Sequence, residues 1–272
     1  MDQLSLAFQP NAKLSKRATM VIVLGWLALT ALLWQLAPHP IEHPLPGQTS
    51  GFLPSPGQTL DAMQTQWNQG IVFEIISSMT VYLQALFYTT VITLSVAYVS
   101  VVPIFRPAAN SGTYIRFISM IGLTFAFMLI FGGGHGLKVA LLTFGMTAFA
   151  LTDMRKVVRA IPLEQYDHAR TLGMKPWRVV WEVVVRGTLE QSFDTIRTNA
   201  AMGWMMLPMV ESFARSEGGV GVVLLGLQRG GAYAPILGIQ IILFTLGIGQ
   251  DYLLGILKNT TCPYARLGKE SS

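Results

Sequence analysis

One segment constrains the fold of this chain more than any other: residues 75–105 contain no Asp, Glu, Lys, Arg or His. A helix needs only about 20 predominantly apolar residues to cross a bilayer, and a soluble core gives no reason for so long an uncharged run. Charged residues make up 12% of the 272 residues, against about 25% in an ordinary soluble domain. The sequence therefore predicts an all-α membrane protein in contact with lipid.

The other apolar segments bring the predicted total to about six transmembrane helices. Residues 18–37 form the first helix. The alternative, a cleaved signal peptide, is disfavoured because a signal sequence has an apolar stretch of only about 7 to 15 residues and a small-residue cleavage site. The other five helices lie in a core over residues 71–258, with spans predicted at residues 75–105, 115–131, 137–152, 187–213 and 230–257.

The positions of the cations orient these helices. Cytoplasmic loops carry an excess of Lys and Arg, and most cations of this chain fall in the tail of residues 1–17, the loop of residues 154–186 and the tail of residues 259–272, to which Lys258 is adjacent. Both termini are therefore predicted to be cytoplasmic. Residues 38–70 are predicted to be extracytoplasmic, together with the loop cations Lys138, Arg215 and Arg229.

The extracytoplasmic segment contains a predicted helix start. Ser55 suits the N-cap, Pro56 the first helical position, and Gln58 the third, which is the arrangement of a capping box. The helix that follows carries an apolar face and is predicted to lie on the outer membrane surface. Its apolar residues are Leu60, Met63 and Trp67.

The loop of residues 154–186 predicts two short helices separated by a turn. Pro162 can begin the first helix, Gly173 supplies a C-cap that tolerates positive φ, and Pro176 can begin the second. Such a pair of helices on the cytoplasmic face suits insertion into a groove of a soluble partner. The alternative is an amphipathic loop that lies on the lipid headgroups.

This loop carries a resemblance to a known family. Residues 167–177 read DHARTLGMKPW and resemble the EAA loop of ABC importer permeases, commonly E-A-A-R-x-L-G-A-x-x-W, with Asp167 and His168 where the family usually has Glu and Ala. Residues 52–56, FLPSP, and Glu211 with residues 216–221 resemble the nitrate, sulfonate and taurine branch. The resemblance covers residues 19–266.

The resemblance implies the membrane-spanning subunit of a type I ABC importer in the bacterial inner membrane. It would act as a homodimer with an extracytoplasmic solute-binding protein and cytoplasmic ATPase subunits, which would hold the ATP and Mg²⁺. The solute would be a small anion such as nitrate, a sulfonate, taurine or bicarbonate. The residues implied in coupling to the ATPase are Asp167, His168, Ala169, Leu172, Gly173 and Trp177.

Ionisable side chains within the fifth span suggest a solute pathway. Glu190, Asp194 and Arg197 recur on one helical face; Asp194 and Arg197 could pair with each other, line an aqueous vestibule, or be exposed at the cytoplasmic side. Burying such charges in hydrocarbon is costly unless they face a partner or water. The candidate pathway or gate residues are Asp194, Arg197, Trp204, Met205 and Glu211.

Other function classes find little support in the sequence. No basic stripe interleaved with aromatic residues suggests nucleic-acid binding, and neither the four histidines nor the single Cys262 has the spacing of a metal site. Residues 132–138 lack the spacing of a phosphate-binding loop. No catalytic constellation is present, which disfavours a membrane-embedded enzyme. A stand-alone secondary transporter or channel is the main alternative to an importer subunit.

Overall fold

The computed structural model describes residues 16–36, 41–42, 49–50 and 54–262. The outer parts of both predicted tails, residues 1–15 and 263–272, lie outside the described residues, as do residues 52 and 53 of the FLPSP motif. The described part is helical apart from a two-residue antiparallel strand pair, in which Ile41–Glu42 pairs with Thr49–Ser50. The chain divides into two compact units, residues 1–66 with 227–238, and residues 67–226 with 239–272.

The first unit contains two N-terminal helices, α1 (Lys16–Leu36) and α2 (Pro56–Asn68). The predicted capping box is confirmed at the start of α2. The Ser55 backbone N–H donates to Gln58 Oε1 at 3.0 Å, and the Gln58 backbone N–H donates to Ser55 Oγ at 3.2 Å. Within the same unit, Trp34 Nε1 donates to the Pro54 carbonyl at 3.0 Å.

The second unit contains most of the remaining helices. They are α3 (Ile71–Val99), α4 (Arg106–Gly112) with a 3₁₀ turn (Thr113–Phe117), α5 (Met120–Phe131), α6 (His135–Arg159), α7 (Leu163–Thr171), α8 (Pro176–Val179) continuing into a π-helix (Val180–Arg186), α9 (Leu189–Phe213), a 3₁₀ turn (Arg215–Glu217), α10 (Val220–Arg229) and α11 (Tyr233–Thr261). The end of α10 and the start of α11 belong to the first unit.

Four of the described helices are long and apolar enough to cross a membrane: α1 from Ala18, α3, α6 and α11. A fifth span would require Arg106–Phe117 and Met120–Phe131 to act together, although these two helices are bent by 112°. The sequence predicted a continuous span over residues 115–131. The chain instead breaks at Ile118 and Ser119, both of which adopt extended backbone, as is usual immediately before a helix.

Helix α9 corresponds to the fifth predicted span and is not apolar along its length. It carries Glu190, Asp194, Arg197 and Glu211. With 25 residues it is long enough to cross a bilayer, and it packs against α6 and α3. Of its ionisable side chains, Glu211 is fully buried, whereas Arg197 and Asp194 are 41% and 54% exposed.

Two clusters of buried side chains join α3 and α6, the first to α9 and the second to the π-helix after α8. The first surrounds Tyr82 and Met146, and the second contains Ala97, Met154 and Val184. Gly203 of α9 leaves room for its neighbours, because a Cβ there would lie 2.8 Å from Tyr82 Cε2 and 2.8 Å from Met146 Cε. Small residues allow membrane helices to pack closely where the hydrophobic effect cannot drive their association.

Candidate functional site

The first candidate site is the loop after α6, residues 163–186, which we call the two-helix segment. Helix α7 ends in the predicted glycine cap. Gly173 has φ 71°, its N–H donates to the Arg170 carbonyl at 2.9 Å, and the Met174 N–H donates to the Ala169 carbonyl at 3.3 Å. These are the two bonds of a Schellman motif. The turn between the helices is thus defined by the backbone of residues 169–174.

The second helix of this segment begins at Pro176, as predicted. The Lys175 carbonyl accepts hydrogen bonds from the N–H groups of Arg178 at 2.9 Å and Val179 at 3.0 Å. From Val180 the chain widens into a π-helix up to Arg186. Such widened turns occur frequently at functional sites.

Large apolar side chains are exposed along the two-helix segment. Leu163 is 79% exposed, Leu172 62%, Trp177 68% and Trp181 57%. Beside them lies a groove of about 420 Å³ whose lining includes Glu164, His168, Ala169, Leu172, Met174 and Glu182. Exposed apolar patches with polar surroundings mark interaction surfaces, and tryptophan is enriched among residues that dominate binding energy.

The predicted coupling residues occupy different places in this segment. His168, Ala169 and Leu172 line the groove together, and Ala169 is only 4% exposed, so its small size matters for packing. Asp167 is exposed and pairs with Arg170 at 3.2 Å. Trp177 projects from the start of α8, outside the groove lining.

The two-helix segment is attached to the membrane core by apolar contacts. Val184 is fully buried in the cluster that includes Ala97 of α3 and Met154 of α6, and Tyr166 packs against the same cluster. Burial raises the pKa of the Tyr166 hydroxyl, and the positive charge of Arg106 opposes that shift. A displacement of the segment would therefore be transmitted to α3 and α6.

The second candidate site is the charged face of α9, where the sequence allowed an Asp194–Arg197 pair. The structure corrects this. The Arg197 guanidinium donates two hydrogen bonds to the Asp251 carboxylate of α11. Lys258 Nζ donates to Asp194 Oδ1 at 2.8 Å and to Asp194 Oδ2 at 2.7 Å. Lys258 also lies 3.1 Å from Glu190. Side chains of α11 reach this face and supply an opposite charge to each of these three residues.

Asp251 and Lys258 were missed as site residues. The sequence predicts that Lys258 belongs with the basic tail. In the structure its side chain is 9% exposed and lies between two carboxylates. The presence of Asp251 and Lys258 in an otherwise apolar segment could have identified them, since ionisable residues in such segments normally face partners inside the protein. The sequence did not indicate which helix the partners came from.

A chain of polar contacts joins α3, α9 and α11 near these ion pairs. Trp204 Nε1 donates to Gln250 Oε1 at 2.6 Å, Gln250 Nε2 donates to the Tyr82 hydroxyl at 2.7 Å, and that hydroxyl donates to the Ala200 carbonyl at 2.9 Å. The Tyr82 and Trp204 rings stack with centroids 4.7 Å apart. The three helices are therefore held in register by directional contacts.

A cleft of about 580 Å³ opens between α9 and α11, and we call it the α9–α11 cleft. Its lining includes Arg197, Trp204, Met205, Gln240, Gln250 and Asp251. Met205 is 81% exposed. Three of the predicted pathway residues, Arg197, Trp204 and Met205, thus share one cleft, whereas Asp194 and Glu211 lie outside its lining.

Glu211 lies at the far end of α9 and is fully buried. Its Oε2 accepts the Gly221 N–H at 2.7 Å, Ser78 Oγ accepts the Val220 N–H at 2.9 Å, and the Glu74 carboxylate accepts the Gly219 N–H. The side chains of α3 and α9 therefore satisfy the unpaired donors at the start of α10. This arrangement ties the connection between α9 and α10 to α3.

Lys138 strengthens the same connection. The sequence placed it among exposed extracytoplasmic cations, but it is 1% exposed and its Nζ donates to the Gly218 carbonyl at 2.7 Å. Arg215 and Arg229 are exposed, as expected of loop cations. Lys138 is therefore a structural residue rather than an open charge for a solute.

The remaining candidates for metal or cofactor chemistry offer little. Within the described ranges, no three His, Cys, Asp or Glu side chains are placed to hold a metal ion. His135 shares a hydrogen bond of 2.7 Å with Gln84 Oε1, and the Cys262 side chain is buried.

Comparisons with known proteins agree with these observations. Two solved structures share the fold: an amino acid ABC transporter with histidines, at 16% identity and a TM-score of 0.57 over 72% of this chain and 96% of the other, and an inward-facing MetNI methionine ABC transporter, at 19% identity and a TM-score of 0.51 over 71% and 95%. No curated protein matches the sequence.

The fold is therefore that of a type I ABC importer permease, as the sequence predicted. Residues 69–260, well over half of the chain, match the family described as binding-protein-dependent transport system inner membrane component. The apolar helices agree with a multi-pass membrane protein. The chain belongs to this family of ABC importer permeases.

Proposed function

We propose that this chain couples solute passage through the bacterial inner membrane to ATP hydrolysis in a separate ATPase subunit, and that the two-helix segment is the coupling element. The observation that carries the proposal is the exposure of Leu163, Leu172, Trp177 and Trp181 on a segment whose turn is defined by a Schellman motif. Apolar side chains held in this way suit a protein partner better than water.

The contacts of the segment indicate how movement would reach the pathway. Val184 and Tyr166 pack into the cluster shared with α3 and α6, and α6 packs against α9, which lines the α9–α11 cleft. Closure of the ATPase around its ATP and Mg²⁺ would shift the two-helix segment. The packed helices would then move the pathway between a conformation open to the cytoplasm and one open to the outside. The permease itself contributes positioning and no catalytic group.

The assembly we propose contains two copies of this chain, the ATPase subunits and an extracytoplasmic solute-binding protein. Both termini and the two-helix segment lie in the cytoplasm, as the excess of Lys and Arg there supports. The second copy covers the α9–α11 cleft. The polar and charged lining of that cleft, including Arg197, Gln250 and Asp251, supports a protein partner rather than lipid at this face.

For the solute, we propose a member of the nitrate, sulfonate and taurine group that bears both charges, such as an aminosulfonate. The α9–α11 cleft contains one cation, Arg197, and one anion, Asp251. A nitrate or bicarbonate ion would be attracted by Arg197 and repelled by Asp251. A zwitterion could pair with both side chains, which favours it over a simple anion.

The coupling proposal is tested by purifying the tagged full-length chain from its native membrane and identifying copurified proteins. The wild-type chain is expected to retain an ATPase. Trp177→Ala is expected to reduce retention about 30-fold, since truncating a dominant interface Trp costs about 2 kcal/mol. Trp67→Ala is the matched control, because Trp67 is 57% exposed on α2, far from the segment in sequence.

Two outcomes would contradict this proposal. Equal ATPase recovery with Trp177→Ala and Trp67→Ala would remove the two-helix segment from the interface. Recovery of no ATPase, together with uptake driven by an ion gradient alone in vesicles containing only this chain, would instead identify a secondary transporter.

A further inference from the structure

A second cleft, separate from both candidate sites, is lined by basic side chains. It measures about 370 Å³ and lies between the end of α6 and the segment of α4 and its following 3₁₀ turn. We call it the basic cleft. The lining residues that matter here are Asn110, Tyr114, Arg116, Arg155, Lys156 and Arg159.

Arg155 is the most deeply buried cation of the basic cleft, with 4% exposure. Its Nη1 donates to the Ala109 carbonyl at 2.6 Å and its Nη2 donates to Asn110 Oδ1, but its buried Nε has no hydrogen-bond partner among the described residues. None of the ion pairs in the described ranges involves Arg155. A buried guanidinium with neutral acceptors alone lacks the counter-charge that normally accompanies burial.

The neighbouring cations add to this excess of positive charge. Arg159 Nη2 donates to Asn110 Oδ1 at 2.6 Å, so one amide oxygen serves both Arg155 and Arg159. Lys156 has a carboxylate partner, Asp153 at 2.9 Å. No Asp or Glu belongs to the described lining of the cleft. Guanidinium groups bind oxyanions through several parallel hydrogen bonds, and an oxyanion here would offset the mutual repulsion of the cations.

The surroundings of the basic cleft indicate where such an oxyanion comes from. Tyr114 is 68% exposed and Phe117 is 73% exposed, and the Arg116 guanidinium lies 4.9 Å from the centre of the Phe117 ring. Exposed aromatic rings beside cations at the end of an apolar helix are typical of the membrane–water interface. Basic pockets between membrane helices at that depth suit lipid headgroups.

We propose that the basic cleft binds a phosphate oxyanion and that the headgroup of an anionic membrane lipid supplies it. Arg155 and Arg159 face the phosphate oxygens, Arg116 reaches it from the 3₁₀ turn, and Tyr114 and Phe117 contact the glycerol and upper acyl region. The bound lipid holds the end of α6 against α4. This site is independent of the solute pathway and of the ATPase surface.

The test uses the full-length chain in its purified membrane assembly and native mass spectrometry with added phosphatidylglycerol or phosphatidylcholine. We expect preferential retention of phosphatidylglycerol. Arg116→Gln and Arg159→Gln are each expected to weaken it about fivefold, the ratio that corresponds to about 1 kcal/mol for one basic residue at an anionic membrane surface. These exposed or partly exposed residues can be changed without emptying the buried Arg155 position.

The matched control is Arg178→Gln, which removes one exposed cation of the two-helix segment outside the basic cleft. It should leave lipid retention unchanged. A second arm titrates inorganic phosphate into the assembly held in phosphatidylcholine nanodiscs.

The outcomes separate the two sources of phosphate. Selective loss of phosphatidylglycerol in the two cleft variants, with weak binding of inorganic phosphate, supports the proposal. Tight binding of inorganic phosphate that the same variants abolish, without a lipid preference, overturns the lipid assignment in favour of a soluble anion. Equal behaviour of the wild type, both cleft variants and the control overturns the site altogether.

Discussion

At the scale of single residues, Gly173 shows how one backbone conformation supports an interaction surface. Its φ of 71° lies in the left-handed region, which costs other residues about 1 kcal/mol or more. Apart from Gly173 itself and its chain neighbours, no atom of the described residues lies within 4 Å of the position that a Cβ would occupy. The requirement for glycine is therefore conformational, and it fixes the direction in which Lys175 and Pro176 continue the chain.

Gly173→Ala is expected to destabilise the two-helix segment by about 1 kcal/mol because alanine must adopt the left-handed conformation. The control is Gly249→Ala in α11, where a Cβ also meets nothing within 4 Å but the helical backbone favours alanine. Thermal unfolding of the purified chain in detergent should show a lower Tm for the first variant only. A lower Tm for both variants would contradict the conformational explanation.

At the scale of helices, the ion pair of Arg197 and the two ion pairs of Lys258, all between α9 and α11, differ in their access to solvent. The side chains of Arg197 and Asp251 are 41% and 47% exposed. Lys258 is only 9% exposed and serves both Glu190 and Asp194. Exposed pairs contribute little to stability, whereas removing one partner of a buried pair leaves an uncompensated charge. The Arg197–Asp251 pair is therefore suited to open so that both side chains can bind a charged solute. The contacts of Lys258 are suited to hold α9 and α11 together.

Lys258→Met is expected to destabilise the chain by about 1 to 2 kcal/mol, because Glu190 and Asp194 lose their common counter-charge but, at 31% and 54% exposure, keep part of their hydration. Arg197→Gln is expected to cost less than about 1 kcal/mol, since both members of its pair are partly solvated, but to impair uptake of a zwitterionic solute. Tm measurements and uptake by the reconstituted assembly check the two effects separately. A larger loss of Tm for Arg197→Gln would reverse the roles assigned here.

Short-range and long-range contacts of the helices differ in how far the sequence predicts them. The capping box at Ser55 and the Gly173 turn involve neighbours within five residues, so local residue chemistry determines them. The partners of Arg197 and Asp194 lie 54 and 64 residues further along the chain. Helical periodicity gives the face on which a charge lies and contains no information about which helix packs there.

At the scale of the whole molecule, the proposed assembly has a second copy of the chain at the α9–α11 cleft. Cys262 is the chain's single cysteine, so a Cys262→Ser background allows one cysteine to be placed at will. Met205→Cys is expected to form a disulfide-linked dimer in membranes under mild oxidation, because Met205 is 81% exposed along this face. Trp67→Cys, at an exposed position on α2, is the control and should remain monomeric on a non-reducing gel.

The central claim is that the two-helix segment is cytoplasmic and covered by an ATPase. It is tested most directly with Leu172→Cys in the Cys262→Ser background, since Leu172 is 62% exposed in the uncovered chain. We expect a membrane-impermeant maleimide to label this cysteine from the cytoplasmic side only, and the assembled ATPase to protect it. Labelling from the outside, or equal labelling with and without the ATPase, would contradict the account.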